Sequence, residues 1–209
     1  MNMQCARLGI FDSMPRTGIP DSYESWAEYQ RMIDRLISAG VMEDATKLWW
    51  DMRPSARFPT LEMRITDTCT RLEDALCIAA LYQSLLRMLA RFRRKNLRWR
   101  IYPRIMLEEN RWRAQRYGTT KSMIDLGHGE CVTFAALIEE IIEMVSEDAK
   151  ALECTLEVAH ARTILKRGTS ASRQYQTFAE AKAAGADDPQ AFIAVVDMLV
   201  AETVADLPE

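Results

Sequence analysis

Histidine is scarce in this chain, and its two copies are poorly placed for chemistry. His128 sits between Gly127 and Gly129, His160 lies among alanines, and neither has a cysteine, serine or acid at catalytic spacing, so both read as structural. Cysteine is odd in number and scattered: Cys5, Cys69, Cys77, Cys131 and Cys154 form no C-x-x-C pair, which argues against a disulfide framework and a cysteine zinc site and fits a reducing compartment. There is no Walker loop, dinucleotide fingerprint, H-E-x-x-H motif or internal repeat. No apolar run approaches the ~18 residues of a membrane span, and the first residues lack an apolar signal core. The expectation is a soluble, unexported, cytoplasmic protein without a membrane partner. The net charge of −3 exerts no global pull on nucleic acid, so such a partner would need a local patch.

What is present is enough to fold. With 209 residues, 48% hydrophobic and 27% charged, the chain can bury a core and is most simply one domain, 1–209. Its organising stretch is Leu48 to Asp67, LWWDMRPSARFPTLEMRITD, which reads as two strands, about Lys47 to Arg53 and Thr60 to Asp67, with Pro54 and Pro59 closing the loop between them. In the second, Leu61, Met63 and Ile65 share one face, while Thr60, Glu62, Arg64 and Thr66 share the other. A carboxylate and a guanidinium two residues apart on a strand point the same way, where one can hold a divalent cation and the other a phosphate. Such a pair is also ordinary on a wet strand face. In the first strand Arg53 follows Asp51 on one side, open either to an internal ion pair or to a substrate carboxylate.

Before the strands, Asp21 or Ser22 can cap a helix carrying Trp26, Tyr29, Ile33, Leu36 and Ile37, ended by Gly40. The preceding PRTG turn makes Arg16 an anion-site candidate beside a plain turn reading. After the strands, Thr70 and Glu73 match a capping box opening a buried helix through Leu72, Ala75, Leu76, Ala79, Leu86, Leu89 and Phe92. Its end is basic: eight cations from Arg87 to Arg104 are interleaved with Phe92, Trp99 and Tyr102. That pattern suits single-stranded nucleic acid, although a cationic helix end explains it more simply and attraction of ATP is a third use. Pro103 opens a helix bearing ENRWRAQRYG and ending at Gly118, where Asn110 and Arg113 line a cleft or pair structurally. Helices follow from Val132, with Glu139, Glu140, Glu143 and Glu147 on a solvated face. The GTSASRQ turn sets Arg173 and Gln174 at a helix N-terminus, and Asp188 with Pro189 begins the last helix.

The segment RPSARFPTLEMRITD resembles the carboxylate-amine ligase family, the type 2 glutamate-cysteine ligases, whose members carry a similar "LEVR..D" strand. PRTGIPDSYESWAEY, ENRWRAQRYG and GTSASRQ stand in the order that family shows, so the resemblance covers nearly the full chain. It implies an α+β protein, a fragment of a glutamine-synthetase-like catalytic fold, mostly helical with a small antiparallel sheet. It also implies an ATP- and Mg2+-dependent ligase that phosphorylates a glutamate-like carboxylate and joins it to a cysteine-like amine. Carried over residue by residue, Glu62 is a magnesium ligand and Arg64 contacts the transferring phosphoryl group; the family pattern also includes Arg53. Family members are longer and open with a G-x-E-x-E strand that is absent here. The chain therefore resembles the C-terminal half, is not expected to be active alone, and has a missing N-terminal half as its expected partner; a homo-oligomer is compatible with the sequence. A nucleic-acid-binding helical protein using Arg87 to Arg104, or a non-catalytic interaction module, is the alternative.

Overall fold

The computed structural model describes residues 3–205, which divide into two units, 6–67 and 3–5 with 68–205. In the smaller unit, α1 (Ala6–Phe11) leads to a two-residue strand β1 (Thr17–Gly18) and then to α2 (Trp26–Ser38). Ser25, rather than Asp21 or Ser22, caps α2 by accepting the Glu28 N–H, and Glu28 reaches back to the Glu24 N–H. Of the expected stripe, Tyr29 and Ile33 are buried with Met42 and Leu48, and Leu36 packs at the edge. Trp26 and Ile37 stay exposed, because this core is too small to cover a stripe of full width.

The expected strand pair is shorter than its alternation suggested. Lys47 belongs to a 3₁₀ turn (Ala45–Lys47) capped by the Asp44 carboxylate. Beyond it β2 (Trp49–Trp50) runs parallel to β1, and after a break at Asp51, β3 (Met52–Pro54) pairs antiparallel with β4 (Leu61–Met63). The register sets Arg53 opposite Glu62. At Asp51 one carbonyl accepts both the Arg64 and Ile65 N–H groups, and the Arg7 guanidinium takes the carbonyls of Arg64, Ile65 and Thr66. Those acceptors are thereby withdrawn from a ladder, which is why no strand continues to Asp67.

The larger unit is built on α3 (Leu72–Arg94). Thr70 does not cap it: the N-cap is Arg71, and the Thr70 hydroxyl instead donates to Glu202 at 2.7 Å. Contrary to the expected register, Leu72, Leu76 and Leu89 face outward, and the buried line is Asp74, Cys77, Ala80, Ser84 and Met88. Ala80 and Met88 pack with Val145, Ala149 and Val158 from the segment holding α5 (Phe134–Met144), α6 (Ser146–Ala151) and α7 (Thr155–Ala159). By length and composition alone α3 would allow a membrane span, contrary to the expectation from sequence, yet several of its leucines face outward and its buried line carries polar groups satisfied by neighbouring helices.

Between these helices α4 (Arg104–Tyr117) ends at Gly118 with φ +58°, as expected. A hairpin of β5 (Met123–Asp125) and β6 (Glu130–Val132), absent from the sequence reading, follows it. Its turn is held by Asp125, whose carboxylate accepts the Gly127 N–H and binds the His128 ring. Finally α8 (Ala161–Arg167) stops at Gly168, and α9 (Ser170–Ala183) and α10 (Asp188–Val204) pack together. The last helix begins one residue earlier than expected: Asp187 is its cap in a capping box with Gln190, and Pro189 sits in the first turn. The result is a mostly helical α+β chain with three two-stranded sheets among the described residues, one of them parallel.

Candidate functional site

Glu62 and Arg64 emerge on the same side of β4 and its continuation, as alternation requires, with Arg64 Nη1 3.6 Å from Glu62 Oε2. The stronger partner of Glu62 comes from across the strand pair, where Arg53 Nε donates to the same oxygen at 3.0 Å. Burial would raise the Glu62 pKa, but the hydrogen bond and charge of Arg53, the Ser55 hydroxyl and Arg64 outweigh it and hold the carboxyl below its ordinary range. Glu62 is therefore ionised at neutral pH. It can offer one carboxylate to a cation, and among the described residues no group of three or more His, Cys, Asp or Glu is assembled around a common point.

The two arginines flanking Glu62 differ in what they have left to give. Arg53 is buried, and its Nη1 donates to the carbonyls of Ala45, Thr46 and Leu48, fastening the 3₁₀ turn to β3. The pairing with Asp51 that alternation allowed is replaced by the pairing with Glu62. In contrast, Arg64 Nε is buried without a hydrogen-bond partner among the described residues, and its guanidinium meets only the Glu62 carboxylate, at long range. Nε of Arg7 and of Arg167 is likewise buried without a hydrogen-bond partner among the described residues, but those guanidiniums are anchored on the carbonyls of Arg64, Ile65 and Thr66 and on Asp74; Arg64 lacks such an anchor and is the guanidinium in this strand pair with capacity for an anion.

The other sequence-predicted residues are occupied by the fold. Arg16, at φ +60°, donates to the carbonyls of Lys47 and Val41 and lies over the Trp49 ring. Asn110 forms a two-way amide bridge with the backbone of Ile124, and Arg113 Nε donates to Ser122, so both clamp the β5–β6 hairpin to α4. Arg173 grips Glu202 of α10 through Nε and Nη2, the second at 2.8 Å, and also donates to Gly168 and Thr70. Gln174 donates to Ser170 at 3.1 Å. Helix capping at this turn falls to Thr169, which accepts the Ser172 N–H.

Spacing also hid two acid–histidine pairs. Asp125 accepts from the exposed His128 ring three residues away, raising the His128 pKa through that hydrogen bond and charge. His160 Nε2 lies 2.9 Å from Asp74, 86 residues earlier, and Arg167 binds the same carboxylate oxygen. The reading of both histidines as lacking an acidic partner is thus corrected, since the contacts arise from a tight turn and from helix packing rather than from a catalytic motif. Burial, with the nearby Asp74 charge, pushes the Cys77 thiol up to about 11, which disfavours its thiolate. A separate cavity of about 560 Å³ on α2, lined by Asp21, Tyr23, Glu28, Arg31, Met32, Arg35 and Leu36, contains none of the predicted site residues.

Comparison with known proteins agrees with the strand motif. Residues 4–190 match the model of glutamate-cysteine ligase family 2. A Rhodospirillum rubrum protein named "Putative glutamate--cysteine ligase 2" is 59% identical over 201 residues, covering 96% of this chain and 52% of the relative. Proteins of the same name from Ruegeria pomeroyi and Sorangium cellulosum are 52% and 40% identical, each over 96% of this chain and 52% of their own length. The chain thus spans about half the length of these relatives. With nearly its whole length matched in sequence and its E-x-R strand folded with both side chains on one side, the chain belongs to glutamate-cysteine ligase family 2.

Proposed function

We propose that this chain forms part of an ATP-dependent ligase with a glutamine-synthetase-like catalytic fold, joining a glutamate-like carboxylate to a cysteine-like amine. The observation that carries the reading is Arg64, whose buried Nε has no hydrogen-bond partner among the described residues and whose guanidinium stands beside an ionised carboxylate. In such a reaction a carboxylate oxygen attacks the terminal phosphorus of ATP and ADP leaves. The amine nitrogen then attacks the acyl carbon, phosphate departs, and the amine loses its proton as the amide forms. Both steps gather anionic oxygens, so rate depends on fixed cations. Arg64 supplies a planar fork that can hold two oxygens of the transferring group. Glu62 orients that fork from one side, while Arg53 fixes Glu62 from the other.

The Glu62 carboxylate fits Mg2+ as a single ligand, a role consistent with magnesium sites that use few carboxylates and complete their shell with water and phosphate. When bound, the ion would neutralise phosphate charge. Arg53 and Arg64 both lie on Oε2 and the Ser55 hydroxyl also bonds this carboxylate, so the ion would share Glu62 with these groups.

The test is Arg64→Lys in the ligase assembled with the remaining part of the relatives' length, with ADP release that depends on both amino-acid substrates as the readout. Lysine keeps the charge and loses the fork. Turnover should fall on the order of 10²-fold with an unchanged fold, and full activity in this variant would overturn the assignment.

A further inference from the structure

Between Asp74 and Glu108 the sequence contains no acidic residue, yet it carries Arg87, Arg91, Arg93, Arg94, Lys95, Arg98, Arg100 and Arg104. The fold neutralises only some of these. Arg87 and Arg91 bind Asp148, and Arg104 binds Glu108. Arg93, Arg94, Lys95 and Arg98 meet no carboxylate within ion-pair distance among the described residues, and Arg100 reaches only the Gly127 carbonyl. In a chain of net charge −3 this is a concentrated, uncompensated positive strip.

The strip is also apolar. Leu97 is 53% exposed, Trp99 43%, Ile101 82% and Ile105 70%. Its position is fixed where it leaves α3: Asn96 takes a positive φ of 57°, Leu97 N–H returns to the Phe92 carbonyl, and Trp99 stacks on the Phe92 ring at 6.0 Å. Residues 97–103 then run to α4 in neither helix nor strand. Four large hydrophobic side chains held in water beside unpaired cations describe a surface built to be covered. Phosphate alone would answer the charge but not Ile101 and Ile105, which need an apolar partner.

We infer that the strip from Arg93 to Ile105 is a docking surface for the part of the ligase outside the matched region, and that the covering face of that partner is acidic with an apolar centre. The inference rests on the ligase reading for the partner's identity, since the curated relatives are about twice as long as this chain and half of each lies beyond the match. Charge complementarity chooses the surface.

The test is coexpression of the full chain with the unmatched portion of the Rhodospirillum rubrum relative as a separate, tagged polypeptide. Copurification is followed at two salt concentrations. The expected result is a complex that weakens at least tenfold on raising salt, and again at least tenfold in the double variant Arg94→Glu/Arg98→Glu. Ile101→Ser should weaken it without changing the salt response. Arg31→Glu/Arg35→Glu makes the same charge change on the exposed face of α2 and should leave binding intact; far-ultraviolet circular dichroism shows that each variant is folded. Absence of a complex, equal loss in the α2 control, or a wild-type strip that takes single-stranded oligonucleotide in preference to the partner would overturn the inference. Because the readout is association and not turnover, an inactive but stable complex would count against the ligase reading while leaving the docking surface standing.

Discussion

Two carboxylates in this protein are each set between two arginines, and they end in opposite conditions. Asp148 is 0% exposed and takes Arg87 at 2.7 Å together with a two-pronged contact from Arg91. The side chain of Glu62 is 36% exposed, and it holds Arg53 at 3.0 Å and Arg64 only at 3.6 Å. Around Asp148 the acid's oxygens and the arginine forks are turned on one another, and the cluster is closed. Around Glu62 one arginine is spent on backbone carbonyls and the other keeps a buried donor unused, so the cluster is open on one side. Residue types are nearly the same; the difference between an internal brace and a candidate site is how many donors remain after folding.

The sharpest way to break the comparison is to remove the closed acid. Asp148→Asn strands two arginines whose partner was buried, and should destabilise the larger unit by about 3 kcal/mol, read from the urea midpoint, whereas Glu62→Gln should barely move that midpoint. Acid pH reads the closed cluster, and Glu62, also held below its ordinary range, adds to the same limb. The Arg91 hydrogen bond, opposing burial, and Arg87 together hold the Asp148 pKa below its ordinary value, so its contribution is present above the unfolded carboxyl pKa of ~3.9 and is lost as pH falls through the folded value. Asp148→Asn should therefore flatten the acid limb of the stability curve.

Next in size is Arg53→Met, which leaves the Ala45, Thr46 and Leu48 carbonyls without their shared donor and Glu62 without its fixed partner. A loss of roughly 2 kcal/mol is expected from the unsatisfied groups, visible as faster amide exchange around Leu48. A smaller effect, about 1 kcal/mol, is expected for Asp187→Ala, which removes a local helix cap that belongs to neither cluster and serves as the reference for ordinary local stabilisation. Smallest in stability but specific in function is Glu62→Gln in the assembled ligase, where lost activity should be partly restored by raising magnesium; a magnesium response identical to the parent would remove Glu62 from the metal role.

Much of this organisation was legible locally. Alternation placed Glu62 and Arg64 on one side, the prolines marked the strand loop, and Gly118 and Gly168 ended their helices. What escaped was decided by partners far along the chain. Thr70 looked like a cap, and Glu202, 132 residues later, claimed its hydroxyl. Arg173 looked like an anion ligand at a helix start, and Glu202 claimed it too. The inward line of α3 could not be read from its leucines, because the helix turns Asp74, Ser84 and Met88 toward α6 to α8 and leaves three leucines outside.

By itself the sequence determined the main helices, the glycine stops at Gly118 and Gly168, the shared face of the E-x-R strand and the family, since each depends on backbone sterics or a contiguous motif. Only the tertiary structure decided which guanidiniums were spent and which kept a donor. An ion pair forms between groups 9 residues apart at Arg53–Glu62 or 61 apart at Arg87–Asp148, and the spacing along the chain carries no trace of which donors folding brings to which acceptors.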